Sequence, residues 1–135
     1  MDGQERMGQH DTRAVSIVDD DASLRRSLRN LLTSVGLTVE TFESAEDFLR
    51  SAQRETTACL VLDLRMAGMN GLDLLRHLAV TGSRIPVVIL TAHGDEEARR
   101  RALEAGAVAF LTKPFQGDAL LEAVQTAMHQ GGRDD

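Results

Sequence analysis

Four short apolar runs in this chain each stop at a residue suited to handling phosphate. Ala14-Val15-Ser16-Ile17-Val18 stops at Asp19-Asp20-Asp21, and Cys59-Leu60-Val61-Leu62 stops at Asp63. Val87-Val88-Ile89-Leu90 stops at Thr91, and Val108-Ala109-Phe110-Leu111-Thr112 stops at Lys113. Lys113 is the chain's only lysine, and it directly precedes Pro114, one of two prolines. As parallel strands of one sheet, the four runs would bring carboxylates, a hydroxyl and an ammonium together at the carboxyl edge. Open α/β sheets bind their ligands at that edge. Such a set of groups suits metal-assisted phosphoryl chemistry.

Length and composition narrow the field. At 135 residues the chain is one domain. A domain of this size buries roughly two-thirds of its unfolded surface, so it needs neither disulfide nor structural metal to fold. The single Cys59 has no partner for an internal disulfide and reads as a small buried hydrophobe. The start of the chain has no apolar h-region, and no run reaches membrane-spanning length. The expectation is a soluble, cytoplasmic protein without membrane contact. A net charge of −6 and the absence of Trp and Tyr argue against nucleic-acid binding by this domain.

Strand-like and helix-like segments alternate five times between two polar ends. Residues 1–12 are aperiodic and predict a disordered tail, as does 130–135, with Gly131-Gly132-Arg133-Asp134-Asp135. The intervening stretch, 13–129, is the predicted domain. Leu24, Leu28, Leu31, Leu32 and Val35 form one helical face, with Gly36 placed to end it. Leu37 to Phe42 alternates as a strand, and Ser44-Ala45-Glu46-Asp47 starts a short helix through Ala52. Leu72, Leu75, Leu78 and Ala79 mark a third helix. Asp95 caps a fourth, whose apolar face of Ala98, Ala102 and Ala105 with Leu103 is thin. Leu120, Leu121, Val124, Ala127 and Met128 mark the fifth. Alternating β and α segments of this kind form a doubly wound parallel sheet with helices on both faces.

The motifs resemble a known family. Ile17-Val18-Asp19-Asp20-Asp21, Val61-Leu62-Asp63-Leu64-Arg65-Met66, Leu90-Thr91-Ala92 and Thr112-Lys113-Pro114-Phe115 look like the receiver domain of two-component response regulators. The His93-Gly94-Asp95 and Gly106-Ala107-Val108-Ala109-Phe110 segments are similar to FixJ-type receivers. The resemblance implies the CheY-like, flavodoxin-like order 2-1-3-4-5 with five helices. It implies Asp63 as phosphoacceptor, Asp19 and Asp20 as the acidic pair for Mg²⁺, and the Arg65 carbonyl as a further metal ligand. Thr91 corresponds to the hydroxyl that moves to the phosphoryl group, Lys113 to the conserved ammonium, and Phe110 to the aromatic switch residue. The Lys113–Pro114 peptide is expected to be cis. Ala67 departs from the pattern, because this loop usually has proline there; its absence loosens the turn.

The resemblance also implies partners: a sensor histidine kinase, and a homodimer formed on phosphorylation through the surface of the fourth helix, fifth strand and fifth helix. An all-oxygen ligand set favours Mg²⁺, and also suits Mn²⁺, over Zn²⁺. The expected role is a signalling switch that catalyses only its own phosphorylation and dephosphorylation. It could be a stand-alone regulator or the receiver part of a FixJ-type transcriptional regulator. An Asp-nucleophile phosphatase of the haloacid-dehalogenase type would need a second Asp two residues after Asp63, where Arg65 stands. A flavin module would need a phosphate loop where Asp19-Asp20-Asp21 would repel one. Each motif alone has a bland reading: an acidic triplet caps a helix, as Asp21 is expected to, and a Lys-Pro makes a turn. His93 reads as a solvated loop histidine, Met66 and Met69 as loop anchors, and Arg99-Arg100-Arg101 as a solvated helix face.

Overall fold

The computed structural model describes residues 14–92 and 94–133. The predicted tail at 1–12 therefore lies outside the described residues, as do Asp134, Asp135 and His93. Five strands, β1 (Ala14–Val18), β2 (Val39–Phe42), β3 (Thr57–Leu62), β4 (Val87–Thr91) and β5 (Ala109–Thr112), form one sheet. All pairings are parallel, and the order is β2-β1-β3-β4-β5. Five helices connect and close the strands: α1 (Ala22–Ser34), α2 (Ala45–Arg50), α3 (Gly71–Val80), α4 (Glu96–Glu104) and α5 (Gly117–Arg133).

The period of two along each strand divides the interior into two layers. On one face Val15, Ile17, Cys59, Val61, Val88 and Leu90 pack with Leu28 and Leu32 of α1 and Leu120, Val124 and Ala127 of α5. On the other, Val18, Leu60, Leu62, Val87 and Ile89 meet Phe48 of α2, Leu74, Leu75 and Leu78 of α3, and Ala102 of α4. The central strands are buried on both sides, which is why they read as nearly continuous apolar runs. Burial pushes the Cys59 thiol up to about 12, so it stays protonated and acts as a small hydrophobe.

Local chemistry sets the ends of the elements. Asp21 caps α1 by accepting from the Ser23 and Leu24 amides. At its other end Gly36 takes φ 91°, and the Leu37 amide reaches back 3.2 Å to the Leu32 carbonyl. That is a Schellman turn, which a Cβ would strain.

Several boundaries differ from the sequence expectation. Helix α2 stops at Arg50, because Ser51 turns extended and caps a 3₁₀ segment, Ala52–Thr56, through the Gln53 amide. Helix α5 runs to Arg133, four residues into the stretch expected to be a disordered tail from 130. Two glycines cost about 1 kcal/mol each relative to alanine, too little to end a long helix already packed on the sheet. In α3 the buried face is Leu74, Leu75 and Leu78, whereas Ala79, assigned to that face from spacing, is exposed.

Gly71 opens α3 against the carboxyl end of β3. A Cβ there would run into the backbone carbonyl of Asp63 and crowd Leu64 Cα at 2.8 Å. Gly71→Ala should therefore cost about 1–3 kcal/mol by overpacking. Urea unfolding should show a lower midpoint at unchanged slope.

Candidate functional site

The parallel order places the carboxyl ends of β1, β3, β4 and β5 side by side. The Asp63 amide donates to the Val18 carbonyl at 3.2 Å, and the Lys113 amide to the Thr91 carbonyl at 2.9 Å. The backbone thus ties Asp63 to the end of β1, and Lys113 to the end of β4.

Three carboxylates meet there. Asp19, Asp20 and Asp63 each offer an oxygen, and these oxygens lie within 4.8 Å of one another. Among the described residues no other group of three or more His, Cys, Asp or Glu side chains converges in this way. Asp19 and Asp63 are buried, and Asp20 is exposed at the mouth. Lys113 Nζ lies 3.1 Å from Asp19 Oδ2 and 3.1 Å from Asp63 Oδ2. Asp63 Oδ1 accepts from the Arg65 amide at 3.1 Å, and Asp19 Oδ1 from the Asp21 amide at 2.9 Å. The Lys113–Pro114 peptide is cis, as the resemblance implies. Thr91 is fully buried at the end of β4.

The electrostatics follow from burial and crowding. Burial raises the Asp19 carboxyl above its ordinary value; hydrogen bonds from the Asp21 amide and Lys113 oppose this, and the Asp63 charge adds to it. Burial alone would lower Lys113, but the hydrogen bonds and charges of Asp19 and Asp63 outweigh it and raise the ammonium. An oxygen-only donor set beside an ammonium fits a hard divalent cation such as Mg²⁺. Two or three carboxylates and a carbonyl suffice for an ion that keeps several waters.

The structure brings together Asp19, Asp20, Asp63 and Lys113 as the sequence predicts, with Thr91 and Arg65 on adjacent backbone. Phe110 lies farther along β5, half-buried against the layer that holds α4. Its ring edge lies 2.9 Å from where a Cβ on Gly94 would be. Met66 and Met69 pack their side chains against the same layer, as loop anchors. Two residues have no signal in the motifs. Arg25 donates from Nη1 to the Asp19 carbonyl at 2.6 Å, fixing the acidic turn from α1. Glu46 accepts from the Met69 amide at 3.0 Å. The first has a faint local signal in its i+4 spacing to the Asp21 cap; the second, spanning 23 residues, has none.

A five-stranded 2-1-3-4-5 sheet with an acidic cluster and a lysine at its carboxyl edge defines the receiver class of signalling domains. The response regulator receiver domain family matches residues 15–125, and the chain belongs to that family. Nodulation protein W of Bradyrhizobium diazoefficiens is 49% identical over 113 residues, covering 84% of this chain and 50% of that protein. The crystal structure of FixJ-N is 41% identical with a TM-score of 0.79, covering 87% of this chain and 94% of that one. The response regulator StyR is 46% identical with a TM-score of 0.83, covering 90% and 62%. The chain spans about half the length of the curated relatives it matches. No helix among the described residues is long and apolar enough to cross a membrane.

The raised Asp19 carboxyl fixes the sign of a pH effect. Above its folded value the fold holds a poorly solvated carboxylate that the unfolded chain hydrates, so Asp19 costs stability at neutral pH. That cost disappears as pH falls through the raised value toward 3.8. In metal-free buffer, Asp19→Asn should raise the denaturation midpoint at pH 7, with an advantage that shrinks as pH approaches 4.

Proposed function

We propose that this chain is a receiver module, over residues 13–129, that accepts a phosphoryl group on Asp63 and relays the change to a distal surface. The observation that carries this reading is the Lys113 ammonium, 3.1 Å from both Asp19 and Asp63 within a cluster of three carboxylates. Its donor is a phosphohistidine on a sensor histidine kinase or a small acyl phosphate. A carboxylate oxygen of Asp63 attacks phosphorus as the donor's P–N or P–O bond breaks, and the leaving group keeps the electron pair. Asp19, Asp20, Asp63 and the Arg65 carbonyl would hold Mg²⁺, or Mn²⁺, which neutralises charge on a phosphoryl oxygen. Lys113 donates to a second oxygen and the Thr91 hydroxyl to the third. Catalysis is positioning and electrostatics, confined to the domain's own phosphorylation and dephosphorylation.

Family membership supports a cytoplasmic signalling role, and the net charge of −6 supports the absence of direct DNA contact by this domain. The same chemistry serves a stand-alone regulator or the receiver part of a FixJ-type transcriptional regulator. Arg65, exposed where an Asp-nucleophile phosphatase carries its second acid, disfavours that class.

Incubation with acetyl phosphate and Mg²⁺, followed by borohydride trapping and peptide mapping, should label Asp63 alone. Asp63→Asn should abolish the label; label at another residue would overturn the assignment.

The relay runs from Thr91 through Phe110 to the surface of α4, β5 and α5, where a homodimer or partner would dock. Donation to a phosphoryl oxygen draws Thr91 toward Asp63, and the ring of Phe110 fills the space that a Cβ would take on Gly94, in the loop that follows Thr91. Only contacts that differ between the two states shift such an equilibrium, and the Thr91 hydrogen bond is one. Beryllofluoride should change hydrogen exchange across residues 95–115 in the wild type. In Thr91→Ala the site should still take the mimic, while the change at 95–115 largely disappears.

A further inference from the structure

We infer that Glu46 is a positioning residue for the loop after Asp63: its carboxylate clamps residues 64–70 from α2 and so holds the Arg65 carbonyl at the acidic cluster. This rests on the reading of that cluster as a Mg²⁺ site with the Arg65 carbonyl among its ligands.

The loop is closed at its two ends. The Arg65 amide donates to Asp63 Oδ1 at 3.1 Å, and the Gly71 amide donates to the Leu64 carbonyl at 2.9 Å. Between those closures, one hydrogen bond holds residues 66–69 among the described residues: the Met69 amide to Glu46 Oε2 at 3.0 Å. Gly68 shows how close the clamp sits. Its φ is 78°, and a Cβ there would lie 2.9 Å from Glu46 Oε2 and 3.5 Å from Oε1. The carboxylate therefore lies across bare backbone, and a Cβ at 68 would displace it, while the positive φ independently favours glycine there. Ala67 places no ring restraint on φ, so the loop's order depends on contacts from outside it.

Glu46 is available for this task because its helix does not need it. Ser44 caps α2 through the Asp47 amide, and Asp47 pairs with Arg50. The Met69 amide, followed by the residue's own amide, holds the Glu46 carboxyl below its ordinary value, so it is ionised near neutral pH. A charge-assisted bond of this kind is shorter and stronger than a neutral one. Groups bonded directly to a metal ligand typically matter tenfold or more to affinity, and Glu46 acts one step further out, through the backbone between Met69 and Arg65.

The test uses the whole chain with calorimetric titration of Mg²⁺ and amide exchange at Met69. Glu46→Ala should weaken Mg²⁺ on the order of tenfold and speed Met69 exchange. Glu46→Gln keeps a side-chain oxygen for the Met69 amide and should restore most of the affinity and protection. If Glu46→Ala binds Mg²⁺ as tightly as wild type, the clamp is wrong. If Glu46→Gln is as weak as Glu46→Ala, the charge at the start of α2 matters rather than the loop bond, and the inference also fails. A wild type that binds no Mg²⁺ overturns the metal reading of the site, and this inference with it.

Discussion

Like charges forced together at the end of a sheet are the constraint on which the rest of this molecule depends. Two unit charges about 4 Å apart repel by on the order of 4 kcal/mol at a surface-like dielectric. Asp19 and Asp63 are moreover buried, with only 3% and 7% exposure. Nothing about stability asks for that arrangement. It persists because parallel strands deliver their carboxyl ends to one edge, and because a single ammonium is shared between the two buried acids. The backbone bonds from Asp63 to Val18 and from Lys113 to Thr91 then follow from the register rather than from the site. A fold that held its strands less firmly would let the acids separate into solvent.

The two layers beside the sheet are not equally anchored. Helix α3 buries Leu74, Leu75 and Leu78, each worth roughly 1.5–3 kcal/mol on burial. Helix α4 buries Ala102 alone. Its ion pairs, Arg100 with Glu97 and Glu104 and Arg101 with Glu97, are exposed and internal to the helix. They favour the helical state of α4 by a few tenths of a kcal/mol each and do nothing to hold it to the sheet. An element that is internally firm but weakly attached can shift as a unit, which suits a relay from the site to the surface.

Much of this was legible in the sequence, for a physical reason. Strands buried on both faces are nearly continuous apolar runs, interrupted here by the Ser16–Thr57 hydroxyl pair at 2.7 Å, so β1, β3 and β4 announce themselves, and the residues that end them form the site. Strand order came through the family resemblance, which also implies the roles proposed for the motif residues. Helix ends were less legible: Ser51 redirects the chain after Arg50 by capping a 3₁₀ turn, and α5 continues through Gly131 and Gly132 because its packed length outweighs two poor helix formers. The support around the site was the least legible part. Arg25 reaches the Asp19 carbonyl from six residues away, but Glu46 on Met69 depends on how α2 lies across a loop 23 residues further along the chain. No local pattern encodes such a contact.

Gly94 and Phe110 occupy what is in effect one volume. With the ring 2.9 Å from the place a Cβ at 94 would take, and Thr112 Oγ1 2.8 Å from it, position 94 cannot gain a Cβ unless one of these side chains gives way. A larger residue at 94 would therefore have to push aside the Phe110 ring or the Thr112 side chain. The size of side chain this loop can carry is thus set by two residues of β5, a strand the loop does not lead into directly.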